Sequence, residues 1–156
     1  RRQRQMCIRD RYKPLFGSQG DNIRLIERPS DLEKLENQTN IYYFQEYLDN
    51  SPNYDYRVLV INNNDNIKYF YMTRYGETFI NNFSKGAKCI KEKLNEDVIE
   101  LAIKSSRLLN IDFCGVDIIE YKRQYYVIEV NSIPAWKGLQ KIESANISDY
   151  ITSLFA

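Results

Sequence analysis

The chain of 156 residues contains no histidine and only three cysteines, which lie far apart at positions 7, 89 and 114. The absence of histidine excludes a Ser-His-Asp hydrolase, a Cys-His protease and a His-ligated zinc enzyme. An odd number of widely spaced cysteines argues against a disulfide framework and favours a reducing compartment, the cytoplasm. Any chemistry must therefore depend on carboxylates, lysine, arginine, amides and a metal that prefers oxygen ligands.

No stretch approaches the roughly 18 consecutive apolar residues that span a bilayer, so we expect no membrane partner. The formal net charge of +1 is unevenly placed, because residues 1–12 hold five arginines against Asp10 while residues 13–156 are net acidic. A basic arm for nucleic acid is one interpretation of this start. The acidity of the remaining chain argues against nucleic acid as a partner.

The first residues include the segment QMCIRDR, which resembles a translated adaptor sequence that recurs at the ends of gene fragments. We therefore interpret residues 1–12 as a disordered or artefactual tail. Residues 13–156 show no repeat and no linker, and their number suits one domain.

Local patterns predict an α+β fold with mainly antiparallel sheets. Ser30 and Glu33 have the spacing of a capping box, and Asn95 is placed to cap the clearest helix. In that helix a buried stripe is expected at Val98, Leu101, Ala102, Ser105, Leu108 and Leu109. Two closing helices are expected over 136–142 and 147–155. Runs of β-branched and aromatic residues predict strands over 12–16, 23–27, 41–48, 56–61, 67–74, 113–120 and 125–130.

Acidic side chains interrupt two apolar strands near the end of the chain. Asp117 lies within CGVDII, and Glu129 lies within VIEVN, two residues before Asn131. Period-two geometry places Glu129 and Asn131 on one face of their strand, and a hairpin could set Asp117 opposite them. Two carboxylates and an amide oxygen are ligands that suit octahedral Mg²⁺. The alternative is a set of solvent-facing edge residues, in which Asp117 pairs with Lys122 or Arg123 and Glu129 with a nearby lysine.

The stretch KPLFGSQG, residues 13–20, raises a similar choice. Its glycines leave backbone amides accessible beside Lys13, which suits the phosphate of a nucleotide. The same residue types also form an ordinary tight turn between two strands.

Taken together, the motifs resemble those of the ATP-grasp superfamily, and within it the RimK-like glutamate ligases, over residues 13–155. Lys13 with Gly17, Ser18, Gln19 and Gly20 resembles the phosphate lysine and its small-residue loop. Residues 44–48 resemble the hinge strand that contacts adenine. Asp55-Tyr56-Arg57 resembles the D-x-R segment, and Asn81-Asn82 resembles the asparagine that reaches phosphate and metal. Gly115-Val116-Asp117 and Glu129-Val130-Asn131 match the paired metal-ligand motifs.

The resemblance implies roles for these residues. ATP contacts are expected from Lys13, from the loop Gly17, Ser18, Gln19 and Gly20, from the hinge Gln45, Glu46, Tyr47 and Leu48, and from Asn81 and Asn82. Asp55 would bond the ribose or, alternatively, pair with Arg57. Asp117, Glu129 and Asn131 would hold Mg²⁺, with Mn²⁺ as an alternative. Arg57 and Arg74 would hold the acyl phosphate or the substrate carboxylate, unless they are surface strand arginines.

The resemblance also implies a reaction. ATP would phosphorylate a carboxylate on a small molecule or peptide, and the amine of an amino acid, often glutamate, would attack the acyl phosphate. Such chemistry needs positioning and charge neutralisation rather than a histidine. Members of the family have an earlier domain, so we expect the chain to be an N-terminally truncated ATP-grasp portion. An ATP-grasp peptide ligase that uses another amino acid and a non-catalytic nucleotide-binding module are the alternatives.

Overall fold

The structure is a computed structural model that describes residues 9–15, 21–35, 41–50, 52–63, 66–76 and 86–155. The chain divides into two compact units, Arg1–Asp49 and Asn50–Ala156. Among the described residues, no helix is long and apolar enough to cross a membrane.

The first unit contains a three-stranded antiparallel sheet in the order β2-β1-β3. Its strands are β1 (Asp10–Lys13), β2 (Arg24–Ile26) and β3 (Tyr43–Glu46), with the short helix α1 (Pro29–Leu32) between the last two. Tyr12 on β1 is buried and its ring contacts the rings of Tyr42 and Phe44. Strand β1 therefore includes Asp10, Arg11 and Tyr12, which lie within the residues 1–12 that we interpreted as a tail.

The N-terminus of α1 differs from the predicted capping box. The helix begins at Pro29, and the carboxylate of Asp31 accepts hydrogen bonds from the backbone amides of Glu27 and Arg28 at 3.2 and 3.0 Å. Proline favours the first helical turn because its missing amide would be unpaired there in any case. Asp31 therefore takes the capping role that we had assigned to the pair Ser30 and Glu33.

The second unit is built on a five-stranded antiparallel sheet in the order β6-β5-β4-β7-β8. The long hairpin of β4 and β5 forms its centre, and the hairpin of β7 and β8 extends it on one side. The strands and helices of this unit are β4 (Tyr54–Asn63), β5 (Asn66–Tyr75), β6 (Lys88–Ile90), α2 (Glu96–Leu109), β7 (Phe113–Tyr121), β8 (Gln124–Asn131), α3 (Lys137–Gln140) and α4 (Ile147–Thr152).

Each face of this sheet carries its own hydrophobic cluster. On one face α2 packs against strand residues that are fully buried, including Val58, Val116 and Ile118. On the other face Leu59 and Ile61 pack against the C-terminal helices through Leu139 and Ile147. The alternation of side chains along a strand sends neighbouring residues of β4 into different clusters.

Helix α2 begins as predicted but buries a different stripe. The side chain of Asn95 accepts a hydrogen bond from the amide of Asp97 and caps the helix. The fully buried residues are Val98, Ala102 and Ser106, whereas Leu108 and Leu109 are 75% and 55% exposed. The helix ends at Leu109, and the chain leaves it at Asn110 in a left-handed conformation, so both exposed leucines lie in the last turn.

Candidate active site

A row of charged side chains crosses three neighbouring strands of the five-stranded sheet. The register places Arg57 of β4 opposite Asp117 of β7, and Asp117 opposite Glu129 of β8. Directly paired residues of antiparallel strands project to the same face, about 4.5–5.5 Å apart at Cβ. This is the face that carries Leu59 and Ile61 further along β4, so one face combines an apolar half with a charged half.

The strongest contact in the row joins Arg57 and Asp117. The Nε of Arg57 donates to Asp117 Oδ1 at 2.7 Å, and its NH2 group donates to Oδ2, also at 2.7 Å. A planar guanidinium matches a carboxylate in this bidentate geometry. Asp117 therefore pairs neither with Lys122 nor with Arg123, which form the distant turn of the β7–β8 hairpin.

Arg74 on β5 ties a second carboxylate into the same cluster. Its Nε and NH2 groups donate to the two carboxylate oxygens of Asp55 at 2.6 and 2.8 Å, and NH2 lies 3.1 Å from Asp117 Oδ2. The Arg74 residue is 2% exposed and Asp55 is 6% exposed. Arg74 is thus a buried strand arginine, which excludes the surface alternative, and Asp55 pairs with it rather than with Arg57.

Burial and charge act in opposite directions on these carboxyl groups. Burial raises the pKa of Asp55 to about 6, although the charge of Arg74 opposes that shift. Burial also acts to raise the pKa of Asp117, but the charges of Arg74 and Arg57 outweigh it and the net pKa is lowered. Asp117 is therefore held as a carboxylate, which is the form that binds a metal.

A β-bulge in β8 determines where Glu129 and Asn131 point. The register shifts between Asp117 and Ile118, so that Glu129 pairs with Asp117 while Val127 pairs with Ile118. The residue between them, Ile128, is the extra one. Without the shift, alternation would put Glu129 on the face of Val127, against α2. The bulge places Glu129 and Asn131 on the face of Asp117 instead.

Gly115 allows the segment after β8 to approach the cluster. Gly115 pairs with Asn131, and a Cβ built on Gly115 would lie 2.8 Å from the Cβ of Pro134 and 4.0 Å from Nε of Arg57. A side chain at this position would displace Pro134. The glycine therefore lets Pro134 lie close to the charged row.

The donor set fits a hard divalent cation. A carboxylate offers about four acceptor positions, and three guanidinium contacts occupy Asp117, which leaves one position on Oδ1. Glu129 is exposed and makes no ion pair with any residue that the structure describes. Asn131 adds an amide oxygen on the same face. Within the described residues no group of three or more His, Cys, Asp or Glu side chains gathers at one point, so the amide would have to contribute.

In the first unit, the residues expected to contact ATP lie on the small sheet. Lys13 pairs with Tyr43, and Arg11 pairs with Gln45, so the side chains of Lys13 and Gln45 project to the same face. The guanidinium of Arg11 lies 5.3 Å from the ring centre of Tyr47. The amide of Tyr47 donates to the carbonyl of Arg9 at 2.8 Å, so this hinge donor is already used. Glu46 pairs with Asp10, and Leu48 follows the strand.

Several predicted site residues lie outside the described part of the chain. They are Gly17, Ser18, Gln19 and Gly20 of the expected phosphate loop, and Asn81 and Asn82 of the expected phosphate and metal contacts. Their roles stay predictions.

Two features that shape the site were not predicted from the sequence. The bulge at Ile128 follows from no turn residue or glycine, and the link from Arg74 to Asp117 joins strands that are not neighbours. The signal in the sequence was an acidic residue within an apolar strand, and it singled out Asp117 and Glu129, whereas Asp55 and Arg74 were named through the family resemblance.

Comparison with protein families gives a match over residues 11–154 to the RimK-like ATP-grasp domain. The chain belongs to the RimK-like ATP-grasp family. The match spans both compact units and includes every residue of the charged row.

Curated relatives of this RimK-like chain carry ligase names. It is 31% identical over 146 residues to the tetrahydromethanopterin:alpha-L-glutamate ligase of Methanocaldococcus jannaschii, with 88% of this chain and 50% of the relative covered. It is also 31% identical over 148 residues to the alpha-aminoadipate–LysW ligase LysX of Saccharolobus solfataricus, with 89% and 53% covered. The chain therefore spans about half the length of the curated relatives it matches.

Solved structures of ATP-grasp ligases share the fold. The RiPP-associated ATP-grasp ligase of Chryseobacterium gregarium, in complex with ADP and a leader and core peptide, superposes with a TM-score of 0.66 at 18% identity, covering 94% of this chain and 47% of that one. The macrocyclase MdnC of Microcystis aeruginosa, bound to its precursor peptide MdnA, gives the same TM-score at 14% identity, covering 93% and 47%. At these identities the likeness establishes the α+β ATP-grasp fold.

Proposed function

We propose that the protein is an ATP- and Mg²⁺-dependent carboxylate–amine ligase that acts through an acyl phosphate. The observation that carries this proposal is the row in which Asp117 lies between Arg57 and Glu129 on one face of paired strands. Membership of the RimK-like family and relatives named as ligases support the same reaction class.

The reaction has two steps in this proposal. The carboxylate of the acceptor attacks the terminal phosphorus of ATP, which releases ADP and leaves a mixed anhydride. The free amine of an amino acid then attacks the acyl carbon, so that an amide forms and inorganic phosphate departs. Both steps concentrate negative charge on oxygen, and a site that neutralises this charge in place lowers the barrier.

Asp117, Glu129 and Asn131 would hold Mg²⁺, and the metal would neutralise phosphate charge when bound. Arg57 is the arginine placed to reach a substrate, because its side chain is 14% exposed against 2% for Arg74. Turning from Asp117, its guanidinium could hold the carboxylate or the acyl phosphate. Arg74 acts as a positioning residue in this account, because Asp55 and Asp117 engage it in the interior.

Nucleotide contacts in the proposal come from residues named by the family motifs. Lys13 would neutralise α/β-phosphate charge, and Gln45, Glu46, Tyr47 and Leu48 would contact adenine. Gly17, Ser18, Gln19 and Gly20 would cover the phosphates, and Asn81 and Asn82 would reach phosphate and metal. Asp55 is the weakest of these assignments, since both of its carboxylate oxygens already accept from Arg74.

Glutamate is the amine that we propose first, because several relatives are named alpha-L-glutamate ligases. The relative LysX is named for a different pair, alpha-aminoadipate and LysW, so an ATP-grasp ligase with another amino acid is the second candidate. A panel of α-amino acids, supplied with ATP and Mg²⁺ and assayed for phosphate release, distinguishes the two.

The test of the reaction class uses the variant Asp117→Asn with Glu129→Gln in the intact protein. We expect Mg²⁺-dependent ATP turnover with the acceptor and amine to fall by at least about 100-fold, because the charges that bind the metal are removed. Unchanged turnover would refute the metal assignment, and a wild type that binds ATP but shows no turnover with any acceptor and amine would favour a non-catalytic nucleotide-binding module.

The matched control is Glu120→Gln, which makes the same chemical change as Glu129→Gln and lies on β7, the strand of Asp117. Glu120 projects to the face of α2, and its carboxylate accepts a hydrogen bond from the hydroxyl of Tyr54 at 3.2 Å. We expect this variant to retain activity within about twofold, because its charge lies on the other side of the sheet and is screened from the row.

A further inference from the structure

An open pocket lies beside α3. Its volume is about 550 Å³, and its lining consists of Ala135, Trp136, Lys137, Gln140 and Lys141. Small-molecule sites in proteins have volumes of roughly 300–1,000 Å³ and combine apolar walls with a few polar groups. We call this space the Trp136 pocket, and its size suits a molecule larger than a free amino acid.

The backbone of α3 directs two lysines towards the Trp136 pocket. The amide of Gln140 donates to the carbonyl of Trp136 at 2.9 Å, which closes one helical turn. Leu139 is fully buried in the hydrophobic cluster beneath this turn. Lys137 and Lys141 are four positions apart, so both lie on the side of the turn that faces away from Leu139.

The walls of the pocket are fixed by contacts behind them. The side-chain amide of Gln140 donates to the carbonyl of Ala145 at 2.9 Å, and its oxygen accepts from the amide of Ile147, also at 2.9 Å. The indole of Trp136 meets the ring of Phe113 edge to face, with 5.9 Å between the ring centres. A pocket held in this way is ordered before a ligand arrives, which lowers the entropic cost of binding.

The charge of the Trp136 pocket has one sign. Of the described residues that line it, two are lysines and none is acidic. Lys137 is exposed and makes no ion pair with any residue that the structure describes. An aromatic ring can pack on the indole and on the aliphatic stems of the lysines, while an anionic group on that ring meets an ammonium group. The lining therefore fits a negatively charged aromatic molecule.

One end of the pocket adjoins Arg57. Pro134 directly precedes Ala135, and a Cβ built on Gly115 would lie 2.8 Å from the Cβ of Pro134 and 4.0 Å from Nε of Arg57. The chain thus passes from the guanidinium that is placed to reach a substrate to the wall of the pocket within a few residues. A ligand that extends past Pro134 can reach both.

The other end of the pocket is close to Arg74. Cys89 pairs with Arg74 in the register of β6 and β5. Burial raises the pKa of the Cys89 thiol, and the positive charges of Arg74 and Lys141 both oppose that rise. Charges are largely screened beyond about 10 Å, so Arg74 and Lys141 both lie near this thiol. The Trp136 pocket and the charged row therefore share one region of the same sheet face.

We propose that the Trp136 pocket holds the body of the acceptor whose carboxylate is activated beside Arg57, and that this acceptor is a small aromatic acid with a second anionic group for Lys137. The inference rests on the proposed ligase function. The volume favours the acceptor over the amine of a free amino acid. All lining residues lie within 135–141, which suits a compact molecule better than an extended peptide, whose backbone needs a strand edge or a long groove.

The test begins with binding, because Trp136 is the only tryptophan of the chain and its fluorescence reports occupation of the pocket. The probe is para-phenylenediacetate, a ring with a carboxylate at each end. Suberate has the same number of carbons between its carboxylates but no ring, and phenylenediacetamide has the same ring but no charge. We expect the aromatic diacid to change the fluorescence and to bind at least about tenfold more tightly than either comparison compound.

The variant Lys137→Met removes the charge and keeps a long side chain. It should weaken binding of phenylenediacetate at least about tenfold and that of phenylenediacetamide by less than about twofold, whereas Lys137→Arg should retain most of the affinity. Lys104→Met is the matched control, because Lys104 is exposed on α2, across the sheet. It should bind all three compounds like the wild type.

Turnover then tests whether the ligand is the acceptor. With ATP, Mg²⁺ and glutamate, phenylenediacetate should support phosphate release with kcat/KM at least about tenfold above that of suberate. Lys137→Met should raise KM for phenylenediacetate by about tenfold and leave kcat within about twofold, because the contact is made equally in the bound substrate and the transition state.

The inference is overturned if phenylenediacetate binds no better than suberate, if Lys137→Met leaves its affinity unchanged, or if the two acids are turned over equally. Tighter binding of a short peptide of glutamates than of phenylenediacetate would overturn the small-molecule class. Binding as expected without turnover of any acid would count against the ligase reaction and support the ligand class of the pocket, so the two failures are distinguishable.

Discussion

The two faces of the five-stranded sheet are made by the same strands but carry different kinds of side chain. On the face of α2, the central strands contribute Val58, Val116 and Ile118, all fully buried. On the opposite face, β4 contributes Asp55 and Arg57 before Leu59 and Ile61. The face of α2 is therefore apolar along the central strands, with polar groups only at its edge, where the hydroxyl of Tyr54 donates to Glu120, and the other face is apolar only where α3 and α4 cover it.

The difference shows how the fold separates stability from chemistry. Burying apolar side chains under α2 contributes to folding at about 25 cal/mol per Å² of surface removed from water. Burying charges on the other face has a cost unless each is paired, and Arg74 pairs with two carboxylates to meet that requirement. The charged half keeps its geometry because the α2 face holds the strands in register.

The largest effect on stability is expected from Arg74→Met, a substitution on the charged half of the sheet face. The substitution leaves Asp55 buried without its partner and removes one of two arginines from Asp117, so we expect the free energy of unfolding to fall by about 3–5 kcal/mol. Urea denaturation measures the loss. Arg107→Met is the control, because that arginine is exposed on α2 and should change stability by less than about 0.5 kcal/mol.

If Asp55→Asn together with Arg74→Met restores much of the lost stability, the cost is that of an uncompensated buried charge. A small effect of Arg74→Met alone would mean that the charged half is not held by this network.

A smaller effect is expected from Gly115→Ala, which acts where the charged row meets the segment after β8. The added methyl group would lie 2.8 Å from the Cβ of Pro134, so that segment must move. We expect a loss of about 1–3 kcal/mol in the free energy of unfolding, by overpacking. Pro134→Ala does not remove the clashing Cβ, whereas Pro134→Gly does, so the double variant Gly115→Ala with Pro134→Gly should recover part of the loss. If the double variant recovers no stability, the loss in Gly115→Ala does not come from the contact with Pro134.

The smallest effect is expected at the turn between β7 and β8, which belongs to neither face. Lys122 and Arg123 have φ angles of 51° and 62°, a left-handed conformation that side chains disfavour. Replacing them by Asn-Gly, which suits this two-residue turn, should raise the free energy of unfolding by about 1 kcal/mol. Thermal unfolding measures the gain, and ligase activity should not change. A loss of stability would show that the side chains of this turn contribute contacts that outweigh its backbone strain.

Much of the fold followed from local patterns in the sequence. Runs of β-branched and aromatic residues predicted β4, β5, β7 and β8 within two residues of their observed ends, and Asn95 was correctly placed as the cap of α2. These residue types predict strands because their side chains pack well on a pleated surface. The predicted cap of α1 was wrong, because Asp31 caps that helix instead. In the predicted stripe of α2, Val98 and Ala102 are buried, but Leu108 and Leu109 are exposed in the last turn of the helix.

The residues of the charged row were named from the sequence, but the contacts between them were not predicted. Strand alternation correctly placed Glu129 and Asn131 on one face of the sheet, because both residues follow the bulge at Ile128. Alternation counted from Tyr125, before the bulge, would have placed them on the opposite face. The partners of Asp55 and Asp117 depend on which strands become neighbours, which is a long-range property that local patterns do not contain. The family resemblance supplied what local patterns could not, namely the grouping of distant motifs.

The most direct test of the account is the position of the metal. Mn²⁺ replaces Mg²⁺ in sites of this type and gives an anomalous X-ray signal, so crystals of the intact protein grown with Mn²⁺ and a non-hydrolysable ATP analogue would locate it. The account predicts an anomalous peak about 2.0–2.3 Å from carboxylate oxygens of Asp117 and Glu129, with the amide oxygen of Asn131 as a further ligand. A peak elsewhere, with Asp117 still held by both arginines, would contradict it.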